Sequence, residues 1–168
     1  MANEPIQELL MQALVGILKG IRADDGVSWF SVQRVERARR EELTEMVLPA
    51  INVWEVSTEE NVPRVGGYDV PLAKNGVLAH LELHWLMKSR NVPDTPAQDA
   101  QRFMQDIRRA TLRLDSATNG GQRFGGVFVQ VSITGTSTNI DELDMPMIGG
   151  IILVDVYFTH AYGDPSRP

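Results

Sequence analysis

The stretch MIGGIILVDVYFTHAYGD, residues 147–164, decides the fold of this chain of 168 residues. Six of the seven residues from Ile151 to Tyr157 are apolar, and the run is bounded by Gly149-Gly150 and Gly163-Asp164-Pro165. A short apolar run between such breakers, rich in β-branched and aromatic residues, is typical of a strand rather than of a helix. The stretch therefore predicts a long strand in the middle of a sheet.

Side chains alternate across a strand, so this predicted strand has two different faces. One face is wholly apolar and consists of Ile152, Val154, Val156 and Phe158. The opposite face is mixed and has Asp155 at its centre. A strand with a fully apolar face needs strands beside it and helices over it, and the rest of the chain supplies both.

Two helices are predicted from apolar residues that recur every three or four positions. The first runs from Asn3, which can cap it, to Ile21. Its outer face is only weakly basic, which favours packing on a sheet over binding at a membrane surface. The second begins with Thr95-Pro96-Ala97-Gln98, a capping residue followed by Pro at the first helical position, and ends at Asn119-Gly120-Gly121.

Four more strands are predicted, over residues 27–35, 49–57, 77–87 and 127–134. The charged run at 36–46 is interpreted as a solvated excursion between strands. Residues 57–76 are interpreted either as a functional loop or as a long hairpin with Gly66-Gly67 near its tip.

Together these elements predict one α+β domain over residues 1–168, with a long loop at 57–76. Its sheet is mainly antiparallel with about five strands, two helices pack on one face, and the order is α-β-β-β-α-β-β. The net charge of −6 argues against tight wrapping of nucleic acid. The chain has no cysteine, no apolar run of about 18 residues and no N-terminal signal pattern, so we expect no disulfide, membrane span or secretion.

The mixed face of the third predicted strand raises a metal hypothesis, because His80, Glu82 and His84 point the same way. His80 and His84 are about 13 Å apart on a strand that rises ~3.3 Å per residue, whereas zinc–nitrogen bonds are about 2 Å long. One strand cannot supply such a site, and a neighbour would have to bring in His160 or Asp155. A solvated or subunit-facing surface is the favoured interpretation, so we expect neither a metal nor a cofactor.

Patterns that indicate catalysis are also missing from the sequence. It has no Cys nucleophile and no Gly-x-Ser-x-Gly elbow. The Gly pairs at 120–121, 125–126 and 149–150 each precede a predicted strand rather than a helix, so they indicate turns and not a phosphate cradle. A pair of acids for proton transfer is still an open alternative in an acidic chain, but nothing in the sequence singles out such a pair.

The predicted sheet carries more apolar and aromatic residues than two helices on one face can cover. Trp54, Leu86, Phe128 and Tyr157 are predicted to lie opposite both helices. Such a surface is hidden either by curling of the sheet in a monomer or by burial against another subunit. A self-assembling ring is the favoured interpretation.

Four stretches that cover nearly the whole chain occur in a recognisable order. They are the N-terminal amphipathic helix with the strand after it, PAINVWEVSTEE at 49–60, LAHLELHWLMKSRNVPDTPAQDAQRFMQDIRRAT at 78–111, and the terminal GGIILVDVYFTHAYGDP. In this order they resemble the tail-terminator (tail-completion) proteins of long-tailed bacteriophages. The charged run at 36–46 and the loop at 57–76 match that family least.

The resemblance implies a non-enzymatic structural protein of the virion, located between tail and neck. Members of that family form a hexameric ring that caps the tail tube, ends its polymerisation and joins it to the neck of the filled head. The implied partners are further copies of the chain, the tail tube protein and a neck or head-completion protein, assembled in the host cytoplasm. DNA would pass through the channel without specific binding, and acidic residues on the channel wall would help it to slide.

The resemblance brings no catalytic residue with it, and it suggests contacts only by region. The expected subunit or partner contacts are Glu60, Arg64 and Tyr68 in the 59–72 loop, the acids Asp141, Glu142 and Asp144, and the face with His80, Glu82 and His84. Two alternatives remain open. One is a neck (head–tail connector) protein of similar architecture, and the other is a small cytosolic metal-dependent enzyme or binding module that uses the histidine face.

Overall fold

A computed structural model describes residues 4–38, 40, 47–65, 68–89, 95–116, 127–138 and 147–168. Within these ranges the helices are α1 (Ile6–Lys19) and α2 (Thr95–Thr111), and short 3-10 turns cover Ala23–Asp25 and Leu112–Leu114. The strands are β1 (Arg34–Arg37), β2 (Ala50–Glu59), β3 (Arg64–Val65), β4 (Tyr68–Asp69), β5 (Lys74–Lys88), β6 (Val129–Thr138) and β7 (Met147–Ala161).

Five of these strands form one sheet in the order β1-β2-β5-β7-β6, and β3 and β4 form a separate hairpin. β1 lies parallel to β2, whereas the other pairings in the sheet are antiparallel. The predicted α+β class and the order α-β-β-β-α-β-β are therefore confirmed. The β3–β4 hairpin lies inside the connection between β2 and β5.

The alternation predicted for the longest strands is confirmed. In β7, Ile152, Val154 and Val156 are fully buried, while Leu153 between them is 41% exposed. β5 pairs with β7 along its whole length, and its apolar residues from Val77 to Met87 are buried in the same alternating way. Because a one-residue slip would turn the apolar set towards solvent, burial of one face fixes the register of this pair.

Both helices pack on the same face of the sheet. α1 buries Leu14 and Leu18, and α2 buries Phe103 and Ile107. The ring of Phe103 meets the indole of Trp85 on β5 edge to face, with 5.7 Å between ring centroids. Burying each Leu or Phe side chain stabilises the fold by about 1.5–3 kcal/mol. Among the described residues, no helix combines the length and the apolar character that crossing a membrane requires.

Gly150 lies in β7, where the strand passes its neighbours closely. A Cβ atom at this position would lie 2.2 Å from the carbonyl oxygen of Ser137 and 2.9 Å from Cζ2 of Trp85. A larger residue would have to displace backbone, so only glycine fits. The prediction that Gly149-Gly150 forms a turn is wrong, because both residues belong to the strand. The other Gly pairs, at 120–121 and 125–126, lie outside the described residues.

The strand predicted over residues 27–35 is wrong for most of its length, because only Arg34–Arg37 pair with β2. The carboxylate of Asp106 on α2 accepts hydrogen bonds from the backbone N–H groups of Trp29 and Phe30, at 2.7 and 3.1 Å. These N–H groups are therefore satisfied by a side chain and not by a neighbouring strand. The local pattern of apolar residues could not reveal an acid that lies so far along the chain.

The connection at 57–76 is more ordered than the sequence predicts. β2 continues to Glu59, β5 begins at Lys74, and the β3–β4 hairpin lies between them. This supports the interpretation as a long hairpin, although Gly66-Gly67 themselves lie outside the described residues. The predicted cap Asn3 and the charged residues 41–46 also lie outside them. The prediction that the second helix continues to Asn119-Gly120-Gly121 is wrong, because α2 ends at Thr111 and the 3-10 turn ends at Leu114. The side chains of Asp115 and Ser116 then accept hydrogen bonds from the backbone N–H groups of Val131 and Val129.

Arg37 ties the end of β1 to α1 and β2. Its guanidinium donates to the two carboxylate oxygens of Glu8 at 2.8 and 2.7 Å, and to the carboxylate of Glu55 at 2.9 and 2.5 Å. The hydrogen bond from Arg37 is the main reason why the pKa of Glu8 is lowered. One arginine thus joins the short edge strand to the helical layer.

Candidate functional site

The candidate site is the face of the sheet that lies opposite the two helices, which we call the open face. The strand register brings three side chains into one row across it: Trp54 on β2 faces Glu82 on β5, and Glu82 faces Leu153 on β7. In the next row, His80 on β5 faces Asp155 on β7. Residues that alternate with the buried core are therefore gathered on one surface.

His80 is held between two carboxylates of neighbouring strands. Its Nδ1 lies 2.8 Å from Oδ1 of Asp155, and its Nε2 lies 3.2 Å from Oε1 of Glu59. The hydrogen bonds to Asp155 and then to Glu59 raise the pKa of His80 above its ordinary value, because they favour the protonated ring. The pair leaves the imidazole about one-third exposed and Asp155 less so.

His84 forms a second, separate pair on the same face. Its Nε2 lies 2.7 Å from Oε2 of Glu82, and its ring lies 6.3 Å from the ring of Trp54 between centroids. The side chains of His84 and Glu82 are 40% and 34% exposed. Each histidine of the open face thus lies within hydrogen-bonding distance of its own carboxylate.

The open face also carries apolar side chains that nothing in the described part of the chain covers fully. Leu153 is 41% exposed, and Trp54, Leu86, Phe128 and Tyr157 are half-buried. Partial burial, followed by the charges of Asp155 and Glu59, raises the pKa of the Tyr157 phenol. The surface therefore alternates partly exposed apolar groups with histidine–carboxylate pairs.

A metal site would require the histidines of the open face to converge on one point with Asp155 or His160. Asp155 does reach His80 from the neighbouring strand, but His84 binds a different acid and His160 lies on the helical side of the sheet, 7% exposed. Within the described ranges, no group of three or more His, Cys, Asp or Glu side chains converges as metal ligands would. The two histidine pairs of the open face remain distinct.

The predicted contact Glu60 lies beside His160 on the helical side of the sheet and not on the open face. Glu60 accepts a hydrogen bond from Nδ2 of Asn75 at 2.5 Å, and the same Asn75 amide lies 3.3 Å from Nε2 of His160. Arg64 and Asp69 form an ion pair at 2.7 Å that is 70% and 78% exposed. Tyr68 lies in β4 beside this pair.

Three further predicted contacts cannot be placed. Asp141, Glu142 and Asp144 lie outside the described residues, because the described chain is interrupted between β6 and β7. His80, Glu82 and His84 do share the open face, as the alternation of β5 predicts.

Glu59 is a member of the open face that sequence reasoning missed. The register of β2 against β5 shifts between Glu55 and Ser57, so an extra residue interrupts the strict alternation of β2. Beyond such a bulge, side chains change faces, which places Glu59 beside His80. The predicted strand ends at Ser57, and a bulge of this kind leaves no mark in the local alternation of residues.

A scan of the chain against profiles of known protein families and a search of curated proteins both find no match. The function is therefore inferred from the pattern of the sequence and from the geometry of the open face.

Proposed function

We propose that this chain is a structural virion protein of the tail-terminator type. Copies form a hexameric ring that caps the tail tube of a long-tailed bacteriophage, ends its polymerisation and offers the joining surface to the neck. The proposal depends on one observation above all: the open face presents apolar groups and histidine–carboxylate pairs that the helices of its own copy do not cover.

The apolar part of the open face favours burial against another copy. Complete burial of a leucine side chain contributes about 1.5–3 kcal/mol, so the 41% of Leu153 that remains exposed corresponds to roughly 1 kcal/mol at each interface. Trp54 and Tyr157 add area of the aromatic kind that is enriched in interface cores. In a closed ring every copy gains this contribution once, so the gains accumulate around the ring.

The charged part of the open face is compatible with the same burial. A buried ion that lacks a partner is costly, whereas His80 and His84 each lie within hydrogen-bonding distance of a carboxylate. These hydrogen bonds already exist within one copy. A second copy that covers the two histidines therefore leaves neither of them without a polar partner.

The elements formed by the resembling stretches also support the proposal. PAINVWEVSTEE forms β2, the segment at 78–111 forms most of β5 and then α2, and the terminal stretch forms β7. They lie in one sheet in which β5 joins β2 to β7. The proposed partners remain the tail tube protein and a neck or head-completion protein, with DNA passing through the ring without specific binding.

The proposal is tested by mixing the purified chain with isolated tail tubes that lack their cap. Size exclusion with light scattering is expected to give the mass of six copies, either for the chain alone or for the chain released from tubes. Addition of the chain should also stop tube elongation at substoichiometric amounts. A chain that stays monomeric with tubes present and leaves elongation unchanged would exclude the terminator role.

A further inference from the structure

The exposed side of α2 carries positive charge without any acid. Arg102, Arg108 and Arg109 lie on it, half-exposed or exposed, and Arg113 follows in the adjoining 3-10 turn. The two acids of the helix, Asp99 and Asp106, are 0% and 1% exposed, and Oδ1 of Asp106 lies 3.7 Å from Nη1 of Arg109. A basic helix surface is notable in a chain whose net charge is −6.

Trp29 stands beside these arginines and is held in place. Its backbone N–H is bound by Asp106, and the guanidinium of Arg102 lies 4.4 Å from the centroid of its ring. Arg109 fixes the same segment by donating to the carbonyl oxygen of Val27 at 2.7 Å. Trp29 nevertheless remains 54% exposed and Val27 52% exposed. A fixed, exposed tryptophan flanked by arginines has the composition of an interface hot spot.

We call this surface the arginine face; it consists of Trp29, Arg102, Arg108, Arg109 and Arg113. α2 packs against β6 and β7 on the helical side of the sheet, so the arginine face and the open face lie on opposite sides of one copy. The open face carries the acids Glu59, Glu82 and Asp155. The two surfaces therefore differ in charge and are both partly apolar.

We propose that the arginine face of one copy docks on the open face of the next copy in the ring. The inference rests on the proposed function and names the two surfaces that close the ring. Opposite surfaces of one subunit form a heterologous interface, and such an interface closes into a ring when the rotation between successive copies permits it. Each copy uses both surfaces at once, one towards each neighbour.

Charge complementarity selects a second copy as the occupant. The arginines meet the acids Glu59, Glu82 and Asp155 of the open face, and Trp29 supplies an apolar group for the half-exposed Leu153 and Tyr157. Complementary potentials of this kind also set which surfaces meet.

A charge-swap experiment in the full-length chain tests the docking. One variant combines Arg102→Glu with Arg108→Glu, a second combines Glu59→Lys with Glu82→Lys, and a third carries all four changes. The matched control, Lys19→Glu with Arg167→Glu, reverses two exposed cations that belong to neither surface. The readouts are the self-association constant from sedimentation at several salt concentrations, and the unfolding midpoint of each variant under dilute conditions.

Each two-site swap is expected to weaken association by at least about tenfold, since exposed charge pairs contribute modestly and reversal turns attraction into repulsion. The four-site variant should recover most of this loss, while the control and the unfolding midpoints stay close to wild type. Additive losses in the four-site variant would overturn the docking of these two faces but leave a ring in place. Unchanged association of the arginine variant, together with weaker retention of this variant than of the wild type on immobilised DNA, would overturn it in favour of a nucleic-acid surface. A wild-type chain that does not associate even with tail tubes present would overturn the ring as well.

Discussion

Replacing Leu153 by threonine should weaken the assembly far more than it weakens the single copy. The side chain is 41% exposed at the centre of the open face, between Glu82 on β5 and Gly135 on β6. Threonine keeps the strand preference of the position but removes most of the apolar area. The part that is exposed in one copy accounts for roughly 1 kcal/mol at each interface.

The effect on a closed hexamer is the sum over its interfaces. About 1 kcal/mol at each of six interfaces amounts to roughly 6 kcal/mol, which corresponds to about a 10⁴-fold shift in the equilibrium between six free copies and the ring. The ring should therefore dissociate at concentrations at which the wild-type ring stays intact. The folded single copy loses only the part of Leu153 that is already buried, about 1–2 kcal/mol.

A dilution series analysed by light scattering measures the association, and urea unfolding of the dilute chain measures the stability of one copy. The matched control is Leu9→Thr, because Leu9 is 39% exposed, a fraction similar to that of Leu153, and lies on α1 at the helical side of the sheet. The control should leave the dilution curve near wild type. If Leu153→Thr gives the same dilution curve as Leu9→Thr and the wild type, the open face is not an interface between copies.

Three further results are expected. Gly150→Ala should destabilise the fold by about 3 kcal/mol or more in urea unfolding, because the new Cβ would meet backbone. Gly16→Ala in the middle of α1 has free space and should stabilise the fold by about 0.5–1 kcal/mol. Equal effects of the two substitutions would contradict the close packing of β7. Arg37→Ala should lower the free energy of unfolding by about 1–2 kcal/mol at neutral pH, and this loss should become smaller in acid as Glu8 takes up a proton. A loss that does not change with pH would show that the ion pairs contribute nothing. The pKa of His80 is raised in the folded chain, so the stability that its protonated ring contributes is fully present below the unfolded pKa near 6.5 and is lost as pH rises through the folded pKa. The free energy of unfolding of the wild type should therefore exceed that of His80→Gln at low pH, and the difference should disappear as pH rises. A difference that grows above neutral pH would refute the pairing with Asp155.

The sequence predicts the central part of the fold well because burial there leaves a strict periodic trace. The apolar sets of β5 and β7 alternate with period two, and their buried and exposed members are those that the alternation assigns. The same alternation brings His80, Glu82 and His84 to one face. Position on a face is a local property, so a local pattern suffices to predict it.

What the sequence could not predict depends on contacts between distant residues. Trp29 and Phe30 have strand-like composition, but Asp106 binds their N–H groups and takes them out of the sheet. The shift between Glu55 and Ser57 moves Glu59 onto the open face, where it reaches His80. The pairing of each histidine with its acid also depends on the register between strands. None of these features has a periodic signature along the chain.

The proposed ring requires each copy to bury its open face against the neighbouring copy. Electron microscopy of the wild-type chain bound at the ends of tail tubes tests it most directly. We expect a six-fold ring in which Leu153 and Trp54 of each copy lie against the neighbouring copy. Density for a single copy, or for a ring whose open faces remain in solvent, would contradict the claim.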